Sequence, residues 1–377
     1  MRFAVLTGIV AISGLSQGML LPLLALLLDK QGISSSVNGG HAAALYAGVL
    51  LISPFLEQPL GKYGYKPMIL LGISIVICSL TLFPLFPSFF IWFVLRFLIG
   101  VGDHMLHFAT QTWITDFSPP EKRGRRLSLY GLAFGLGFTA GPLLASLASV
   151  NEALPFFIGA LLSLIGWMAV FSLPNEKPRP LERTSTAAGR WLGAWKGAWP
   201  ALLLPFAYGF LEAAIHSVFP LYALDQRLSA EQIAFLLPCF SLGGILFQLP
   251  LGALSDWLGR RITITGALLA GAGCFLAAFV ADPSPVSLAI CLFAAGMFTG
   301  SLFSLGIAYM TDLLPKALLP AGNLLCGMLY SLGSMIGPPL SGSAVDVAAD
   351  AFFLAVSAVL LLPVLGLVKR RKQEKTA

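Results

Sequence analysis

Twelve apolar runs, each long enough to cross a bilayer, occupy most of this 377-residue chain. A helix needs roughly 20 such residues to traverse the hydrocarbon core. The runs lie at about 3–28, 40–60, 67–86, 89–115, 127–149, 154–173, 199–224, 232–254, 262–281, 286–311, 320–344 and 351–368. Only 11% of the residues are charged against 57% hydrophobic, whereas a soluble domain carries about 25% charged residues. So few charges cannot cover the surface of a water-soluble protein of this length. That excludes a cytosolic enzyme, a disordered chain and a disulfide scaffold. In lipid each backbone polar group must be satisfied within its own segment, so the fold class is an all-α membrane protein with twelve transmembrane helices. The first run continues to Leu28 without a small-residue cleavage site, and reads as a retained span rather than a signal peptide.

The basic residues set the orientation. With both termini cytoplasmic, 20 of the 23 Lys and Arg fall in cytoplasmic segments, as the positive-inside rule requires. Lys30 and Arg227 alone lie in outer loops, and Arg96 lies within a span. The expectation is a multi-pass protein of the cell membrane with both ends in the cytoplasm. Clustered between apolar runs, the basic residues act as topology signals and give no reason to expect nucleic acid. Cys78, Cys239, Cys274, Cys291 and Cys326 all sit inside apolar runs and match no metal or redox spacing.

The longest polar stretch, 174–198, separates a bundle at 1–173 from a second at 199–368, and a basic tail follows at 369–377. The end of this linker mixes Arg190, Lys196 and tryptophans, a pattern shared by a short interfacial helix and an ordinary tether. The two halves repeat. At an offset of 196, Thr115-Asp116 meets Thr311-Asp312, and Gly137, Gly141 and Pro142 meet Gly333, Gly337 and Pro338. Parallel six-helix halves are what a rocking transporter is built from.

Between spans 8 and 9 runs Gly252-Ala-Leu-Ser-Asp256-Trp-Leu-Gly259-Arg260-Arg261. A tight reversal at a membrane face needs Gly, and the Arg pair anchors it among lipid phosphates. This segment resembles the signature loop of the major facilitator superfamily. The corresponding first-half loop, Gly61 to Pro67, keeps Gly64 and basic residues, but Gly61 stands where the family usually has Asp. Arg96 to Gly102 in span 4 resembles the Arg-bearing motif of the family's proton-coupled members, and Gly137 to Pro142 in span 5 resembles the motif of its antiporters. Gly137 with Gly141, and Gly333 with Gly337, are small residues at i and i+4 that let helix backbones approach, while Pro142 and Pro338 add bends. The resemblance covers essentially the whole chain and implies two pseudo-symmetric six-helix bundles around a central cavity.

Ionisable groups within spans are functional pointers, because each is costly in lipid unless paired or wet. Arg96, Gly100, Asp103, His107 and Gln111 share one face of span 4 at 100° per residue, and Asp103 and His107 stand at the i,i+4 spacing where side chains meet. Glu212 and His216 repeat that spacing in span 7. The resemblance places both clusters on cavity-lining spans. Proton coupling is therefore expected at Asp103, Glu212, Arg96, His107 and His216, the imidazoles changing charge in the physiological range. His104, Phe108, Gln111, Trp113 and Phe210 are candidate substrate-cavity residues. Gating candidates are Glu57, Gly64, Gly252, Asp256, Gly259, Arg260 and Arg261. Asp103, His104, His107 and Gln111 lack a supporting HxxxH or Cys pair, so neither a metal nor another cofactor is expected. No phosphate-cradling loop is present either, which argues against ATP-driven transport.

The reading is a non-enzymatic secondary transporter that works as a monomer by alternating access. It exports an apolar or amphipathic small molecule against protons, in contact with membrane lipids. A flippase for lipids or lipid-linked glycolipids on the same fold, and a non-transporting scaffold or receptor, are the competing classes.

Overall fold

The structure, a computed structural model, describes residues 2–177, 187–281, 283–315 and 318–376. Among these residues it is all-helical. The first half comprises α1 (Arg2–Lys30), α2 (Ser35–Ile52), α3 (Glu57–Tyr63), α4 (Tyr65–Leu85), α5 (Phe89–Phe117), α6 (Pro120–Ala145) and α7 (Leu154–Phe171). In the second half follow α8 (Ala187–Ser217), α9 (Phe219–Asp225), α10 (Ala230–Leu258), α11 (Arg260–Val280), α12 (Pro285–Thr299), α13 (Leu302–Leu313), α14 (Leu319–Val347) and α15 (Ala351–Thr376).

Among the described residues, eleven stretches are long and apolar enough to cross a membrane. The remaining expected span, 40–60, is interrupted: α2 gives way to a 3-10 turn at Ser53–Phe55 before α3 begins. Pro54 has no N–H to continue the α ladder, and its ring crowds the preceding turn. Span 7 breaks in the same way between α8 and α9, where Pro220 opens the new helix. Span 10 divides at Gly300-Ser301 into α12 and α13.

The chain forms two compact units, 1–28 with 44–183 and 29–43 with 184–377. In the first, Leu6, Ile9, Ile73, Leu106, Trp113 and Val170 belong to one buried apolar core joining α1, α4, α5 and α7. Here α6 lies directly on α1, and a Cβ at Gly141 would stand 2.3 Å from the carbonyl carbon of Gly18. In the second unit α14 lies on α8 by the same device, since a Cβ at Gly333 would stand 2.0 Å from the Phe206 carbonyl oxygen. The four glycines singled out by the repeat thus set these two helix contacts. Pro142 and Pro338 lie inside α6 and α14.

Residues 178–186 of the linker lie outside the described residues. The tryptophan-bearing segment after them is helical and bends at Ala198, where φ is −135°. Ala194 and Ala198 are buried while Trp191 and Trp195 are exposed, as in an amphipathic helix set at an angle to the span it precedes.

Candidate functional site

Two carboxylates, Asp103 buried in one unit and Glu212 half-buried in the other, organise polar side chains among the apolar spans. In the first unit, α5 carries Asp103 and α1 carries Ser13 against it. Ser13 Oγ donates to Asp103 Oδ1 at 2.8 Å and lies 3.1 Å from His107 Nε2. The opposite ring nitrogen, His107 Nδ1, lies 2.5 Å from the Tyr130 hydroxyl of α6. Gln111, exposed one turn beyond His107, bonds the same phenol. Asp103 and His107 are therefore joined through a serine from another helix. Phe134 stands edge-on to the imidazole at 5.2 Å, which fixes the ring plane. Asp103 Oδ2 is buried with no hydrogen bond, and the Asp103 residue helps line a small cavity of about 10 Å³.

In the second unit, Glu212 of α8 accepts from the Tyr208 hydroxyl at 3.1 Å and from the Tyr330 hydroxyl of α14. The two rings stack with centroids 6.1 Å apart. The close approach of α8 and α14 at Gly209, where a Cβ would meet the Tyr330 carbonyl at 2.1 Å, brings this phenol to the carboxylate. His216 is buried one turn further on and edge-on to Phe240.

The other expected residues divide by place. Arg96 is fully buried beside Tyr46 of α2. His104 Nε2 lies 2.8 Å from Ser53 Oγ, at the 3-10 turn, and its ring is tilted against Phe108. Trp113 is fully buried in packing, stacked on Tyr65 at 5.3 Å, and its indole N–H donates to Glu176 at 2.8 Å. Phe210 is likewise buried, with its backbone against Gly333 and Gly337. Among the described residues no group of three or more His, Cys, Asp or Glu is placed to hold a metal.

The signature loop is tighter than its sequence suggested. Helix α10 continues to Leu258, so Gly252 lies within the helix and Gly259 alone makes the reversal, at φ 93°. Arg260 Nη1 bonds Asp256 at 2.6 Å, and its Nε donates to Asp312 at 3.1 Å. Arg261 donates to the Leu367 carbonyl. In the first unit Gly64 makes the same reversal at φ 91°, Tyr65 donates to Asp116, and Lys66 Nζ donates to the Phe171 and Leu173 carbonyls at 2.8 and 2.9 Å. The Glu57 side chain lies outside the described residues.

Sequence reasoning missed Ser13, Tyr130, Tyr330 and Tyr208. A tyrosine inside an apolar span needs a partner for its hydroxyl, and Tyr208 stands at i−4 from Glu212, so both signals were present. Ser13, in a helix rich in Gly and Ser, gave none.

A family model described as Major Facilitator Superfamily matches residues 6–227 and 201–377. The chain is 49% identical to the MFS-type transporter YfkF of Bacillus subtilis (strain 168), over 97% of this chain and 95% of the relative. Multidrug resistance protein 2 of the same organism is 26% identical over 99% and 96%. The crystal structure of nucleoside transporter NupG matches with a TM-score of 0.80 at 14% identity, covering 98% of each chain. The human organic anion transporter MFSD10 matches with 0.70 at 20% identity, covering 97% and 98%. At such identities the structural matches speak for the fold.

Proposed function

The chain belongs to the major facilitator superfamily, a family of membrane transporters, and on that premise we propose that it exports an apolar or amphipathic small molecule in exchange for protons. The observation that carries this reading is the pair of carboxylates, buried Asp103 and half-buried Glu212, each on a membrane-spanning helix and held by hydroxyl groups. Such groups in lipid mark ion pathways and proton relays far more often than structural pairs. The 26% identity to a multidrug resistance protein supports export of an apolar compound. Arg96, His107 and His216 complete the coupling set, and His104, Phe108 and Gln111 supply the substrate wall. Asp256 and Arg260 gate the basic end of the second bundle.

The orientation that goes with this reading has both termini in the cytoplasm of a cell whose plasma membrane holds the protein as a monomer. The bundles are 1–173 and 199–368, joined by the linker 174–198. The test is uphill transport in proteoliposomes under an imposed pH gradient, with a panel of lipophilic cations as probes. Asp103→Asn is expected to abolish accumulation and to leave downhill exchange measurable. Unchanged uphill transport in that variant would overturn the assignment of Asp103.

A further inference from the structure

The polar set of the first unit has a direction, which follows from counting protons. An ionised carboxylate only accepts, so the single hydroxyl proton of Ser13 is committed to Asp103 Oδ1. Ser13 Oγ therefore accepts from His107, and Nε2 must carry the imidazole proton. A neutral imidazole protonated at Nε2 has a bare Nδ1, and that atom accepts from the Tyr130 hydroxyl at 2.5 Å. Three hydrogen bonds from three helices thus point the same way, from Tyr130 to Asp103. One end reaches exposed Gln111. The other ends at Asp103, 3% exposed, which lines the cavity.

We propose that Tyr130, His107, Ser13 and Asp103 form a proton wire that loads Asp103 from the Gln111 end, one proton at a time. A proton arriving on the Tyr130 oxygen sends the phenol proton to His107 Nδ1. Nε2 passes its proton to Ser13 Oγ, and Ser13 passes its own to Asp103 Oδ1. Each bond broken to hydrogen is matched by one formed, one proton enters and one is stored, and no electrons are exchanged. Loading leaves His107 as the Nδ1–H tautomer with every hydrogen bond reversed, so the wire cannot carry a second proton until Asp103 unloads. The cavity has room for about one water, among the side chains of Asp103, Ser13 and Ser163. Ile9, Ile12, Ile73, Val76, Leu106 and Gly166 make the rest of its wall, leaving too few oxygens for the six or so that an alkali cation would take.

Besides His107, α5 carries His104, bonded to Ser53, and Arg96, beside Tyr46 of α2; Tyr130 of α6 meets His107. Helix α1 contributes Ser13 and the Gln17 amide. At the cavity, α4 and α7 contribute only aliphatic residues, Ser163 and Gly166.

The inference rests on the proton-coupled reading for its biological use, but loading can be measured without substrate. The full chain in lipid nanodiscs is subjected to an acid jump. Proton uptake is followed with an external pH dye, and the carboxylic-acid stretch by infrared difference spectroscopy. Wild type is expected to gain a carboxylic-acid band that Asp103→Asn lacks. Ser13→Ala and Tyr130→Phe are expected to reach the same amplitude about tenfold more slowly, the equivalent of one hydrogen bond lost from the path. Ser13→Thr restores the rate. Nitrogen NMR of His107 should show Nε2–H before the jump and Nδ1–H after it, and should serve alone if Ser13→Ala does not fold. Wild-type kinetics in both hydroxyl variants, an unchanged tautomer, or a sodium-dependent infrared signal would overturn the wire. Normal loading without pH-driven transport would instead overturn the coupling reading and leave the wire standing.

Discussion

The two signature loops turn alike but are fastened differently. Gly64 and Gly259 adopt nearly the same φ, 91° and 93°. In each loop the second residue after the glycine, Lys66 or Arg261, donates to carbonyls at the end of the sixth span of its half. The residue between them differs. Arg260 makes an exposed ion network, with Asp256 and Asp312 67% and 52% open to solvent. Tyr65 is buried, stacks on Trp113 and gives its hydroxyl to Asp116. The carboxylate missing at Gly61 has a counterpart of another origin: Glu176, at the start of the linker, binds Arg2 at 2.5 Å and the Trp113 indole at 2.8 Å. Backbone geometry is kept in both halves, while the fastening has changed from charge–charge to aromatic and hydrogen-bonded. What the fold requires is the reversal and the capped carbonyls; the chemistry of the clamp is free to vary.

If that distinction is right, alanine at the two glycines should be unequal. Both conformations suit glycine alone, at about 1–3 kcal/mol each, but only at Gly64 would the new Cβ also strike Glu176 O and Asn175 Oδ1, at 2.5 and 2.6 Å. Gly64→Ala is expected to lower stability by about 3 kcal/mol, and Gly259→Ala by about half as much. Equal shifts in thermal unfolding followed by tryptophan fluorescence would break the comparison. The clamps themselves come next. Tyr65→Phe leaves Asp116 short of a donor and should cost about 1–2 kcal/mol at any ionic strength. Arg260→Met should cost about 0.5–1 kcal/mol in dilute buffer and almost nothing in about 1 M KCl. Unfolding curves at two salt concentrations test this, and a salt-sensitive Tyr65→Phe would show that the first clamp is electrostatic after all. The smallest effect is expected from Asp256→Ala, about 0.3 kcal/mol for an exposed i,i+4 pair. Its interest lies in electron–electron distances between spin labels on the basic ends of the two bundles, which should move toward the conformation with that end open. Unchanged distances would reduce Asp256 to surface decoration.

The membrane class, the helix count and the internal repeat were legible because each is a property of runs of residues. The repeat even picked out Asp116 and Asp312, though nothing in spacing said that Tyr65 and Arg260 would claim them. The carboxylates in spans 4 and 7 stood out for the same reason, as rare charges in apolar surroundings. Their partners did not. Ser13 and Asp103 are 90 positions apart, Glu212 and Tyr330 118 apart, and only the packing of α1 and α8 on their neighbours makes them meet. Trp113 looked like a wall residue because an aromatic in a cavity-lining span is indistinguishable, by type, from one that stacks inside a clamp. The split of span 2 was not legible because membrane helices tolerate an internal Pro, so Pro54 by itself did not mark where the helix ends.

The contact of Glu176 with the first helix has a bearing on biogenesis. Glu176 meets Arg2 through its carboxylate and the Tyr65 amide through its carbonyl at 2.9 Å, so the segment leaving the first bundle is tied back to the helix that begins it. The ribosome has by then delivered every residue of that knot, and the roughly 200 still to come take about 10–40 s to translate. During that interval the end of the first bundle is already held to its beginning through Glu176.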